Sequence, residues 1–239
     1  MFRQGKPRTF YHNLRLASML SLVAGIVNIN GVLAINTLTT NVTGHFAFFS
    51  EDFVKANYKG SLIFLFYILF FLMGAFVSGF LVEIVLRIRP RFAHAAPMLL
   101  EISILLVVAF SGTGFSLTDE SIAFALLFSM GLQNALVTKI SQATVRTTHL
   151  SGLFTDLGIE LSQLFFYHRA LQFRKLSRSI YLRLVIIAFF FFGGLFGGLL
   201  FNRYNLRALL FGAAFLVIAL LYDNIRYGLH VFRRKLQSR

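Results

Sequence analysis

The chain has 239 residues, of which 57% are hydrophobic and 13% charged, with 30 Phe, 3 Pro and neither Cys nor Trp. A soluble domain of this length needs a far more charged surface, so the composition argues for a lipid environment, and the absence of Cys excludes disulfides, thiol nucleophiles and thiolate metal sites. The net charge of +14 would argue for nucleic acid only if the basic residues gathered on one wet face, and they do not.

The basic start "MFRQGKPRTFYHN" leads into an uncharged run, 16 to 36, that carries Asn28 and Asn30 and has no convincing cleavage site. It reads as a retained first span rather than a signal peptide. A polar phrase follows, "TTNVTGHF" (39 to 46), then a segment of about 45–58 in which Phe46, Phe49 and Phe53 oppose Asp52 and Lys55. Residues 62 to 82 form a second apolar run, ended by Glu83 and Arg87, a pair at i and i+4. Residues 95 to 115 form a third, interrupted by Glu101, and 121 to 138 a fourth, with Gln133 and Asn134. The phrase "TTHLSGLF" (147 to 154) then opens an amphipathic segment of about 151–167, with Leu153, Leu157, Leu161 and Leu164 on one stripe and Asp156, Glu160 and Gln163 on another. Two more runs, 184 to 202 and 206 to 224, complete six predicted spans; Asp223 and Arg226 close the last. Each approaches the roughly 20 residues that a helix needs to cross about 30 Å of hydrocarbon.

Basic residues test this count. With the N-terminus cytoplasmic, 19 of the 23 Lys and Arg fall on the cytoplasmic side, and Lys55, Lys59, Arg203 and Arg207 on the other. Positive residues prefer the cytoplasmic side, which favours six spans with both ends inside.

Two stretches repeat. Gly25 and Asn28 recur as Gly131 and Asn134, a shift of 106, while Thr40, Thr43 and Gly44 recur as Thr148, Ser151 and Gly152, a shift of 108. "FFLMGAFVSGFLV" (70 to 82) and "FFFFGGLFGGLLF" (189 to 201) align at a shift of 119, so Gly74, Ala75, Ser78 and Gly79 face Gly193, Gly194, Gly197 and Gly198. Small residues four apart let another backbone approach closely. A repeat of three spans reverses its sense in the membrane, the inverted topology of many secondary transporters.

The polar phrases admit two readings. Each is a connection before an interfacial helix, or each breaks the hydrophobic segment to line a cavity, where irregular backbone is tolerated at membrane depth. Glu101 either snorkels to pair with an arginine of 87 to 91 or sits deeper in a proton-coupling role. His45 and His149 have no second histidine at metal-pair spacing and read as polar loop residues. No phosphate loop, zinc-protease helix or nucleophile elbow is present, so the expectation is no enzyme, no metal and no cofactor.

The combination of "TTNVTGH", "MGLQNALV" (130 to 137) and "VRTTHLSGLFTDL" (145 to 157) resembles the YoaK-like family of uncharacterised bacterial inner-membrane proteins. Members typically show an "MTGN"-like phrase after the first span and a "GMQNA...TTxxTG" stretch in the middle. Gly131, Gln133, Asn134, Ala135, Thr147, Thr148 and Gly152 match the second pattern; Thr40, Asn41, Thr43 and Gly44 match the first loosely, with His45 where Asn is usual and Ser151 where Thr is usual. The resemblance implies a polytopic bacterial membrane protein and brings no activity to transfer.

The expected fold is therefore one all-α polytopic membrane domain, 1–239. Its six transmembrane helices form two inverted three-helix repeats, about 14–115 and 121–225, resembling one bundle of a major-facilitator-type carrier. The expected function is a small secondary transporter in the bacterial inner membrane, proton-coupled and homodimeric, with a structural or regulatory membrane protein as the alternative and an intramembrane enzyme or channel third. Asn28, Asn41, Thr43, Gln133, Asn134, Thr148 and Ser151 are the expected solute ligands, and Glu101, Asp156 and Glu160 the proton carriers. Gly74, Gly79, Gly193, Gly194, Gly197 and Gly198 are the expected packing sites. A carrier calls for a cavity reaching Asn28, Asn134 and one or both phrases; a scaffold calls for the same side chains to be satisfied against neighbouring helices.

Overall fold

A computed structural model describes residues 10–111, 116–140, 149–167 and 170–221. Every regular element among them is helical: α1 (Phe10–Ile35), α2 (Val42–Val54), α3 (Tyr58–Ile88), α4 (Ala95–Ala109), α5 (Asp119–Ile140), α6 (Leu150–Gln163), α7 (Ala170–Tyr204) and α8 (209–221). Single 3-10 turns, Pro90–Phe92 and Asn205–Ala208, precede α4 and α8.

Four helical stretches are long and apolar enough to cross a membrane: Leu14–Ile35, Tyr58–Ile88, Asp119–Lys139 and Leu171–Leu221. The last is not one rod. Asn205 has φ 50°, and the Phe211 ring lies 6.1 Å from those of Phe196 and Tyr204. In a continuous helix 15 residues span about 22 Å, so α8 folds back along α7. α4 is shorter than its predicted run of 95 to 115, ending at Ala109.

The outer faces of α3 and α7 carry rings and aliphatic chains in the open. Leu72, Phe76, Phe80, Phe191, Phe192 and Leu199 are all exposed. Contiguous apolar surface of this kind belongs against lipid or another apolar partner. The core joins α1, α4, α5, α7 and α8 around Leu20, Val23, Leu105, Leu126, Met130, Ile186, Leu209 and Leu216.

Two long pairings organise the molecule: α1 runs along α7, and α3 along α5. Glycines set the approach. A methyl group on Gly25 would collide with the Phe190 carbonyl oxygen and approach the Gly194 nitrogen; one on Gly131 would collide with the Phe71 carbonyl oxygen and approach the Ala75 nitrogen. From the other side, Gly193 faces the Leu22 carbonyl and Gly74 the Phe128 carbonyl. All these partners are related by the shifts of 106 and 119 found in the sequence. Gly197 also packs closely, on Ile26, whereas Gly198 makes ordinary contacts with Ile29 and Leu33. Gly79 faces open space, as does the missing side chain of Gly194, which touches α1 only through its backbone. A stripe of small residues covers more of the helix circumference than one crossing within the chain uses, so these two faces are not used by the α1–α7 and α3–α5 contacts.

The short helices lie on the long ones, α2 on α3 and α6 on α7. Their sidedness differs from expectation. Phe46 and Phe53 of α2 are exposed, and the buried residue is His45, which is part of the helix rather than of a loop. Its Nε2 bonds the Leu38 carbonyl at 2.8 Å, and its ring meets those of Phe64 and Tyr67. The helix thus turns its polar ring toward α3 and leaves its phenylalanines outside, the reverse of the sidedness the phenylalanine pattern suggests. In α6, Leu153 and Leu157 are buried but Leu161 is exposed.

Corresponding joints use different chemistry. The Phe48 ring of α2 lies 5.3 Å from Phe64 of α3; at residues 108 and 119 further on, Asp156 of α6 binds Arg183 of α7, Nη1 to Oδ2 at 2.8 Å.

Candidate functional site

The site begins where α1 ends. Asn36 takes a left-handed conformation (φ 50°) and the Thr37 N–H reaches back to the Gly31 carbonyl, a helix stop in which Asn tolerates the strained residue. The chain then returns along α1. The Thr39 methyl lies so close to Gly31 that a Cβ there would be 2.5 Å away. Thr40 donates to Asn28 Oδ1 from both its backbone N–H (3.3 Å) and its hydroxyl (3.0 Å). Asn28 is seven residues before the end of α1, so the return covers about 10 Å of helix. Asn41 then caps α2 by accepting from the Gly44 N–H at 3.0 Å.

This returning segment forms one wall of a cleft of about 570 Å³. The opposite wall is the start of α6, at His149, Leu150 and Ser151, with Asn134 and Thr138 of α5; Phe71 and Phe190 complete it. Five pairs of lining residues obey the sequence shifts: Asn28 with Asn134, Asn41 with His149, Val42 with Leu150, Thr43 with Ser151, and Phe71 with Phe190. No charged side chain lines the cleft among the described residues.

Of the expected ligands, Asn28, Asn41, Thr43, Asn134 and Ser151 meet here. Thr148 lies outside the described residues, as do Thr147, Asp223 and Arg226. Gln133 is fully buried and lies outside the lining, with neither side-chain atom partnered among the described residues. On a helix its neighbour Asn134 points about 100° away, so adjacent residues cannot share one face.

The expected proton carriers separate. Asp156 and Glu160 do not line the cleft; they anchor α6 to α7. Arg183 holds Glu160 through Nε (2.9 Å) and Nη2 (3.1 Å), and Ser179 donates to the same carboxylate at 2.6 Å. Glu101 neither snorkels nor pairs: it is fully buried, and both oxygens lack a hydrogen-bond partner among the described residues. Glu83 does not take Arg87 as its partner. It accepts from Lys139 of α5, because that ammonium arrives from the facing helix, about two turns along from the Gly74 and Gly131 contacts that draw α3 and α5 together.

Sequence reasoning missed Phe71, Phe190 and Thr138. For the two rings a signal existed, since they are related by the same shift of 119 as the glycine runs.

Membrane-length apolar helices around a polar cleft define an all-helical protein of membrane-protein character. The chain belongs to the family described as "Protein of unknown function (DUF1275)", whose model matches residues 16–222, a match compatible with the YoaK-like resemblance. No curated protein and no solved structure matches it.

Proposed function

We propose that the protein is a small secondary carrier of the bacterial inner membrane, with both termini cytoplasmic and its two halves inverted about the cleft. The six crossings are α1, α3 and α4, then α5, α7 and α8, while α2 and α6 are half-helices whose N-terminal ends reach the cleft. One observation carries this reading: a single cleft takes Asn28, Asn41 and Thr43 from the first half and Asn134, His149 and Ser151 from the second. The reciprocal contacts of Gly25 and Gly131 support the inversion, since each half presents the same surface to the other. Alternating access in such carriers is rocking of one repeat against the other around a fixed site. Glu101, a buried carboxyl group in the fourth helix, is the proposed proton carrier. The cleft is built within one chain, so transport requires no second copy, and a homodimer would add packing rather than ligands.

The chain has no Cys, so single replacements report accessibility directly. Thr43→Cys and Ser151→Cys are each labelled with an impermeant maleimide from either side of sealed vesicles. A carrier gives labelling of each position from both sides, in proportions that solute changes. Labelling from one side only, whatever the solute, rejects it in favour of a scaffold.

A further inference from the structure

A second pocket, of about 350 Å³, lies at the turn between α7 and α8, lined by Ala109 and Ser111 at the end of α4 and by Arg203, Tyr204, Asn205 and Arg207. That volume is within the small-molecule range of about 300–1,000 Å³. The apolar run 184 to 202 rises about 28 Å along α7, close to the thickness of a hydrocarbon core, about 30 Å, and Arg203 follows it directly. Apolar residues resume at Ala208. Both arginines therefore stand where hydrocarbon gives way to headgroups.

The pocket has charge of one sign. No acidic residue lines it among the described residues, and neither Arg203 nor Arg207 is ion-paired with a described residue. Lys55, Lys139 and Arg183, by contrast, each hold a carboxylate. The Arg203 Cζ lies 5.9 Å from the centre of the Tyr204 ring, a contact that steadies the guanidinium without spending its N–H donors on an anion. The end of α7 and the start of α8 meet here with partial charges of about −0.5 and +0.5. These cancel, so the two guanidiniums set the sign. Ser111 accepts from the Leu117 N–H at 3.2 Å and has its own O–H left to donate. On the topology proposed above, this side of the membrane holds only Lys55, Lys59, Arg203 and Arg207 of the 23 basic residues. Two of those four share this pocket, against the general preference of positive residues for the cytoplasmic face.

We infer that this pocket binds a phosphate ester at the membrane boundary. The guanidinium fork matches phosphate oxygens bidentately. At this depth the anion at hand is the phosphate of a phospholipid headgroup, and a soluble phosphate ester presents the same chemistry from water. The site depends on α7 and α8 crossing the membrane, and not on transport through the cleft.

The test uses the full chain in detergent, with phosphatidylglycerol titrated and read by native mass spectrometry, and with glycerol 1-phosphate and acetate read by thermal shift. Joint replacement by Arg203→Gln and Arg207→Gln is expected to weaken the first phosphatidylglycerol about tenfold or more. Lys59→Gln, at an exposed basic residue outside the pocket, is expected to bind as the parent does. Should the glutamine pair not fold, Arg203→Lys with Arg207→Lys, which keeps the charge and loses the fork, still weakens binding. Loss of phosphatidylglycerol in these variants identifies a lipid headgroup; a melting shift with glycerol 1-phosphate that the variants lack, without lipid binding, identifies a soluble ester. The inference is overturned if parent and arginine variants bind the lipid equally and glycerol 1-phosphate shifts neither. Equal weakening in Lys59→Gln, or an acetate shift as large as that of glycerol 1-phosphate, also overturns it. Labelling of Thr43→Cys and Ser151→Cys tests the carrier reading separately.

Discussion

Gly131 and Phe71 meet backbone to backbone: the face of α5 without a side chain lies directly on the Phe71 carbonyl of α3, as Gly25 lies on Phe190 in the other pairing. Neither carbonyl can yield without moving its helix. Gly131→Ala and Gly25→Ala are each expected to cost about 1–3 kcal/mol, the usual penalty for overpacking. Gly79→Ala, facing open space, is expected to be neutral or slightly stabilising, since Ala is the better helix former. Thermal unfolding in detergent separates the cases, and equal effects at all three positions would contradict the packing described.

Arg183 ties α6 down through two carboxylates, and its side chain is 19% exposed. Arg183→Met should loosen α6 by about 1.5–3 kcal/mol, the range for hydrogen bonds to charged groups. Asp156→Asn should cost less, because Asp156 is 52% exposed and solvent screens its share. Hydrogen exchange over 150–163 is the measurement. Unchanged protection in Arg183→Met would mean that Leu153 and Leu157 alone hold the helix.

Glu101 is a buried group with no partner among the described residues. Removing an unsatisfied polar group in favour of an apolar one of similar length is expected to stabilise by about 1–3 kcal/mol, so Glu101→Met should melt higher than the parent. The proton-coupled uptake proposed above should at the same time lose its pH dependence in both Glu101→Met and Glu101→Gln. A lower melting point for Glu101→Met would reveal a stabilising partner instead.

Burial of the His45 ring pushes its pKa below the ordinary histidine value of 6.5, with the Leu38 carbonyl pulling the other way. The bond to Leu38 makes Nε2 the protonated nitrogen, so acid adds a proton at Nδ1, which is buried without a partner. The docking of α2 is thus fully stable above about pH 6.5 and weakens as pH falls through the lowered folded value. Hydrogen exchange over 42–54, taken relative to the intrinsic exchange rate at each pH, should rise between pH 7.5 and 5, and His45→Gln should flatten the change. An equal rise in His45→Gln would assign the effect to another group.

Part of the site was legible because several of its residue types recur in the sequence at fixed shifts. The shifts of 106, 108 and 119 preserve residue type at glycines, asparagines and hydroxyls, and these contacts tolerate few alternatives. Asn28 and Asn134 could be named from their place inside apolar runs. The partner of Glu83 could not, because Lys139 is 56 residues away and only helix packing brings it near. The inside of α2 was also hidden: a pattern of phenylalanines against charges gives the period of a helix, but not which face meets protein when the surroundings are apolar too. Gln133 shows the complementary limit, where polarity marks a residue but not its direction.

The joint between short and long helix is built from tilted, touching rings at Phe48 and Phe64 and from ions at Asp156 and Arg183. Added salt weakens the second and leaves the first untouched. The two short helices are therefore held with unequal sensitivity, and ionic strength loosens α6 from α7 before it loosens α2 from α3.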